Sequence, residues 1–196
     1  SSTSWATNSN NFGTNVTAQK EICLPCHVPH KALATTIPLW NHADSTNVTF
    51  VLYNSATLNA TNTIGQPAGV SKACLSCHDG STALDSFGGK VGTAFIAAGA
   101  KVGGNANLTK DHPIGFEYTA GLATADGELF NPTTQSSGLG AQIDDDMLFD
   151  NGSGSKTRLE CSSCHDVHNG TLAAAQTKLL LKSNANSALC LTCHNK

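Results

Sequence analysis

Large apolar side chains along this chain come singly or in short clusters, separated by stretches of Gly, Asn, Ser, Thr and Ala. One run, Val48-Thr49-Phe50-Val51-Leu52-Tyr53, has the β-branched and aromatic content of a short strand. Two segments, 171–182 and 187–194, are the best helix candidates. The Thr/Asn-rich segment 46–63 and a long Gly-rich excursion that ends at Asp144-Asp145-Asp146 carry the signals of turns and coil. The pattern predicts a mostly irregular chain with few or no strands. Loops of that length are unusual in a compact domain unless something other than side-chain packing organises them.

Composition points the same way. Aromatic residues make up 6% of the chain and charged residues 13%. A chain so poor in large apolar groups struggles to offset its conformational entropy by burying its own side chains. The formal net charge of −3 leaves no basic face for nucleic acid. No stretch reaches the roughly 18–20 apolar residues that cross a bilayer, so no membrane-spanning segment is expected. The start, Ser1-Ser2-Thr3-Ser4-Trp5, has no initiator Met and no basic-then-apolar leader, and reads as the mature end of an exported chain.

The eight cysteines change the picture. They form Cys23-Leu24-Pro25-Cys26-His27, Cys74-Leu75-Ser76-Cys77-His78, Cys161-Ser162-Ser163-Cys164-His165 and Cys190-Leu191-Thr192-Cys193-His194, with none left over. Chance would give on the order of 0.01 such motifs in a chain of this composition. In c-type haem attachment, two thioethers anchor the porphyrin to one short turn and the adjacent His reaches the iron. Zinc sites also use Cys-x-x-Cys, but they do not require a His directly after the second Cys every time. Redox dithiols usually occur once, near a β-α-β pattern that is not visible here. Disulfides are the plain alternative for an exported chain. The expectation is four covalently bound c-type haems forming the core, short α-helices at the motifs, and His27, His78, His165 and His194 as the first iron ligands.

Four histidines remain, His30, His42, His112 and His168, equal in number to the second axial positions. Met147 is the only methionine, so at most one haem has His/Met ligation. His27 and His30, like His165 and His168, stand three residues apart and so point to the same side of a helical turn. They do not clamp opposite faces of one iron, so His30 and His168 are expected on a neighbouring haem. His112 precedes Pro113, which holds it extended. His42, in Trp40-Asn41-His42, is the least constrained by its surroundings. Iron with two histidines has no open position, which favours electron transfer over catalysis and lowers the reduction potential relative to His/Met ligation. No catalytic residue is expected, and the chain reads as an electron-transfer protein, not an enzyme.

The first cysteines of successive motifs lie 51, 87 and 29 residues apart, so there is no constant repeat. One domain, 1–196, is expected, with a first-haem zone at 1–73, a second-haem zone at 74–157, and the third and fourth haems at 158–196. Asp144, Asp145, Asp146 and Asp150 before Asn151-Gly152 read as a solvated acidic turn, calcium being the sharper alternative. Asn15, Asn47, Asn59, Asn107, Asn151 and Asn169 head Asn-x-Ser/Thr sequons, which fit surface loops.

Three blocks carry a resemblance: Cys74-Leu75-Ser76-Cys77-His78-Asp79-Gly80, Asp111-His112-Pro113-Ile114-Gly115-Phe116, and Cys161-Ser162-Ser163-Cys164-His165-Asp166-Val167-His168. Together with the fourth motif they resemble the multihaem outer-surface c-type cytochromes of metal-reducing bacteria, and among these the tetrahaem members that polymerise into filaments. The resemblance spans essentially the whole chain. It implies a coil-rich subunit, a continuous haem stack, and assembly into a conductive homopolymer (a nanowire) in which an adjacent subunit donates one axial histidine, His42 or His30. It also implies an extracellular or cell-surface location and redox partners that are donor and acceptor proteins or extracellular metal oxides.

Three readings stay open. A polymerising conduit fits the resemblance and the ligand count. A soluble periplasmic tetrahaem shuttle would carry a lysine-rich docking patch, and the 11 Lys and Arg here are scattered. A multihaem reductase would need one haem with an open iron position.

Overall fold

The computed structural model describes residues 23–34, 37–60, 64–168 and 179–196. The chain is mostly irregular, with short helices and one small three-stranded sheet, as the spacing of its apolar residues predicts. It divides into two compact units, one of residues 1–53 and 66–112, the other of residues 54–65 and 113–196. The division at residue 112 falls inside the zone 74–157. No helix among the described residues is long and apolar enough to cross a membrane.

The first unit is built on helix α1, Gly69–His78, whose face of Ser71, Ala73, Leu75 and Ser76 is buried. Small side chains on that face let other backbone segments approach closely. Gly80, at φ +73°, turns the chain away after the helix, a conformation that glycine adopts without strain. Asp79 is buried at the helix end and gathers three segments. Its carboxylate accepts from Ser45 Oγ, from Asn47 Nδ2 at 2.8 Å and from the Ser81 N–H at 2.8 Å. Apolar packing is sparse: Phe50, Leu75 and Leu108 form one small cluster, and Leu84 centres another with Cys77, Phe87 and Ile96.

The expected strand at 48–53 reduces to a single bridge, Val51 with Asn107. The reason is competition for the backbone from a side chain distant in sequence. The Gln66 side-chain amide occupies both polar groups of Phe50, accepting from its N–H at 2.7 Å and donating to its carbonyl at 3.0 Å.

The second unit holds the sheet. Its strands are β1, Phe116–Glu117, β2, Phe149–Asp150, and β3, Lys156–Leu159, in the order β1-β3-β2 and all antiparallel. Helix α2, Ala120–Asp126, is capped by Thr119, whose Oγ1 accepts from the Leu122 N–H at 3.1 Å, and ends at Gly127 in the left-handed region. Helix α3, Ile143–Met147, lays Ile143 and Met147 into a core with Ala60, Phe116, Tyr118, Ala123, Leu148, Leu159 and Leu189.

This corrects the sequence view of the acidic run as a loop: Asp144, Asp145 and Asp146 lie in α3. Asp146 turns inward to accept from Ser137 Oγ and from the Ala141 N–H, and Asp145 pairs with Lys156 at 3.1 Å. Met147 is a core residue, 2% exposed. The helix expected at 187–194 is shorter, a single turn α4 at Cys190–Cys193 preceded by a 3-10 turn at Ala185–Ser187. Most of the helix expected at 171–182 lies outside the described residues, and its described end is not α-helical: Leu179 is in the left-handed region and Leu180 is bridged to His165.

Ile143 is fully buried at the centre of the larger core. Ile143→Ala is expected to destabilise the haem-loaded protein by about 2–5 kcal/mol, read as an earlier denaturant midpoint by far-UV circular dichroism.

Candidate functional site: four cysteine–histidine turns

Each motif is closed by one helical turn. The His27 N–H donates to the Cys23 carbonyl at 2.8 Å, the His165 N–H to Cys161 at 3.2 Å, and the His194 N–H to Cys190 at 3.0 Å. The second motif is the last part of α1, which ends at His78. A turn of this kind brings residues i, i+3 and i+4 to one side, so both sulfurs and the imidazole face the same way. That shared orientation is the physical content of the spacing.

An isolated turn is marginal, since nucleation fixes several residues for one hydrogen bond. The chain reinforces each turn from outside. His27 bridges to Trp40, His165 to Leu180 and His194 to Leu129. Asn41 braces the first turn: its side chain donates to the Leu24 carbonyl at 2.7 Å and its N–H to the Cys26 carbonyl at 2.9 Å. The third turn is entered through a capping box, in which Glu160 and Ser163 satisfy each other's backbone N–H groups. Arg158 holds the buried Glu160 carboxylate at 2.7 Å. Tyr118, 1% exposed, donates its hydroxyl to the Phe130 carbonyl at 2.5 Å with the Cys193 carbonyl 3.3 Å away, and the Phe130 N–H donates to that Cys193 carbonyl at 2.9 Å, which ties the fourth turn to the core.

The motifs meet in pairs within each unit. Burial pushes the Cys77 thiol up to about 12, and the neighbouring Cys26 adds to the rise. Burial likewise pushes Cys193 up to about 11, with Cys164 adding to it. Cys26 and Cys164 are raised by burial first, then by Cys23 and by Cys190 respectively. In every motif, then, the second cysteine is a half-buried group whose thiol is held above its ordinary value, unlike the lowered thiol of a reactive cysteine. No disulfide joins any of the eight cysteines. Among the described residues no three of His, Cys, Asp and Glu converge as a zinc or calcium centre requires.

The histidine chemistry fits a haem iron. Nδ1 of His27 lies 2.8 Å from the Pro38 carbonyl oxygen, Nδ1 of His78 lies 3.4 Å from that of Ala100, and Nδ1 of His42 lies 2.7 Å from that of Ala43. A ring that donates Nδ1–H to a backbone carbonyl keeps its lone pair on Nε2, the arrangement of a metal-ligating imidazole. His42 is fully buried, and its Nε2 lies 3.1 Å from the Ala83 carbonyl oxygen. A neutral imidazole has one N–H, so one of its two contacts has no proton between the heavy atoms. The ring carries a lone pair on one nitrogen, the feature that a metal-ligating imidazole requires. Trp40 supplies a second indication. Its ring packs edge-on against His27, and its buried Nε1–H has no acceptor among the described residues. A haem propionate is an acceptor of the required kind.

The other candidates stand at the surface. His30, His112 and His168 are exposed, and the His168 N–H donates to Asp166 Oδ1 at 2.9 Å, which fixes the turn between His165 and His168. The first unit contains His30, His42 and His112 besides two motif histidines, and the second contains only His168 besides two. Sequence reasoning missed the bracing residues Asn41, Asp79, Trp40 and Glu160. Asn41 acts on Leu24 and Asp79 on Ser45 and Asn47, far along the chain, so no local pattern announced them.

A protein-family model described as a doubled CXXCH motif matches residues 155–196. No curated protein matches the chain. The matched stretch contains the third and fourth motifs, and peptide mass mapping of it is expected to find two covalently attached haems. Cys190→Ala with Cys193→Ala should leave one. Residues 155–196 carry a paired c-type haem-binding motif, and electron transfer is the chemistry it indicates.

Proposed function

We propose that the chain is a tetrahaem electron conduit whose subunits join head to tail in an extracellular conductive filament. A bound c-type haem supplies a one-electron iron couple. The protein's own residues do the rest. Cys23, Cys26, Cys74, Cys77, Cys161, Cys164, Cys190 and Cys193 hold the four groups, and His27, His78, His165 and His194 are the first ligands. His30, His42, His112 and His168 are the second ligands, which close the irons to substrates and leave electron transfer as the available reaction.

The observation that carries the tetrahaem reading is the closure of all four motifs by the same helical turn, with the motifs meeting two by two inside each unit. Support for assembly comes from the histidine count. The second unit has one non-motif histidine for two haems, and the first has three for two. In a head-to-tail polymer a neighbouring subunit lends the missing ligand from its first unit, His42 or His30; of the two, His30 is exposed and accessible as it stands, whereas His42 is fully buried in its own unit. The low charge of the chain limits repulsion between copies. Resemblance to outer-surface cytochromes of metal-reducing bacteria supports the extracellular setting and electron acceptors such as metal oxides.

Electron microscopy of native, unboiled protein at neutral pH is expected to show long filaments with a regular subunit repeat. A monodisperse single-chain particle at high concentration would sink the filament and favour a soluble periplasmic shuttle. His42→Ala is expected to turn one haem high-spin and able to bind cyanide, seen in the visible spectrum, with four haems still attached. An unchanged low-spin spectrum would remove His42 from the ligand set.

A further inference from the structure

The two units repeat one local frame without repeating its length. In the first, the Val28 N–H donates to the Leu39 carbonyl at 2.9 Å, the Asn41 N–H to Cys26 at 2.9 Å, and His27 bridges Trp40. In the second, the Asp166 N–H donates to Leu179 at 2.7 Å, the Leu181 N–H to Cys164 at 2.9 Å, and His165 bridges Leu180. Leu39 and Leu179 share the left-handed conformation, at φ +57° and +55°. Two leucines in that sparsely populated region, each just before a bridged residue, mark corresponding positions.

Counting one residue past the frame places His42 and Lys182 in correspondence. Their contacts agree. His42 Nδ1 lies 3.3 Å from Ser76 Oγ, and Lys182 Nζ donates to Thr192 Oγ1 at 2.9 Å. Ser76 and Thr192 are both the third residue of their motif, and both hydroxyls donate back into their own turn, to Ala73 and Ala188. Past the motif the correspondence continues with Asp79 and Asn195. Thus the second motif of the first unit has an imidazole and a buried carboxylate, and that of the second unit has an ammonium and a neutral amide. Both differences move charge in the same direction.

The Lys182 ammonium is held at the motif. It donates also to the Ser137 carbonyl at 2.7 Å, and no carboxylate pairs with it among the described residues. The acid in the same network, Asp146, stands behind Ser137 and is engaged by Ser137 Oγ and the Ala141 N–H.

We propose that Lys182 is a potential-setting residue, which makes the haem held by Cys190 and Cys193 easier to reduce than its counterpart held by Cys74 and Cys77. Reduction lowers the charge of the iron centre by one unit, so a nearby cation favours the reduced form and a nearby carboxylate the oxidised form. An electron placed on this chain then rests preferentially on the fourth motif's haem over the second's. The proposal rests on the haem reading of the motifs.

The test is a redox titration of the haem-loaded protein followed by NMR, with haem methyl signals assigned through contacts to Ser76 and Thr192. In the wild type the haem beside Thr192 is expected at the higher potential of the two. Lys182→Gln keeps hydrogen-bonding capacity and removes the charge. It is expected to shift that haem's redox equilibrium on the order of tenfold toward the oxidised form, about 59 mV for a one-electron couple, with the haem beside Ser76 moving less. The reverse order in the wild type, or an unmoved potential in Lys182→Gln with four haems loaded, overturns the proposal. If the variant loads fewer haems, the wild-type order decides. A haem content below four in the wild type, measured first as the pyridine complex, is instead a failure of the haem reading itself.

Discussion

The amide of each motif histidine closing back on the first cysteine is the contact on which the rest of this chain depends. It turns a linear spacing into a surface with two sulfurs and an imidazole on one side. One such hydrogen bond contributes only about 0.5–1.5 kcal/mol net, too little to hold a lone turn against its conformational entropy. Much of the remaining polar structure reads as support for these turns. Asn41 braces the first, Asp79 follows the second, the Glu160–Ser163 capping box leads into the third, and Tyr118 anchors the fourth. Backbone bridges at His27, His165 and His194 fix the point where the ligand ring leaves the chain.

The apolar packing fits this role. The second unit has a recognisable core around Ile143 and Tyr118, on which β3 and the third motif are mounted. The first has two small clusters and a helix whose buried face is largely serine and alanine. On the proposed tetrahaem reading, a unit with so little apolar area of its own would gain most from covalently held haem, because the macrocycle would supply the buried surface that the side chains lack. Folding and cofactor attachment are then one problem, and the aromatic-poor composition follows from it.

What was legible in the sequence was what local spacing encodes. Cys-x-x-Cys-His specifies a turn within five residues, and the excess of Gly, Asn and Thr specifies coil, so the cofactor class and the irregular fold were both readable. Features set by distant partners were not. The strand expected at 48–53 was lost because Gln66, far along the chain, takes the backbone of Phe50. Asp146 looked solvated until Ser137 and Ala141 turned it inward. The matched frames around Leu39 and Leu179 escape a search for a fixed period, because the loop before Leu179 is longer than the one before Leu39. The ring environment of His42, fully buried with both nitrogens facing carbonyl oxygens, is likewise invisible in Trp40-Asn41-His42.

The account's central claim is that four haems are held here with both axial positions filled by this protein's histidines. Electron paramagnetic resonance of the fully oxidised, haem-loaded protein tests it most directly. The account predicts low-spin ferric signals alone, integrating to four haems per chain. A high-spin ferric signal equivalent to one haem would contradict it, and would return an open iron position, and with it substrate chemistry, to this chain.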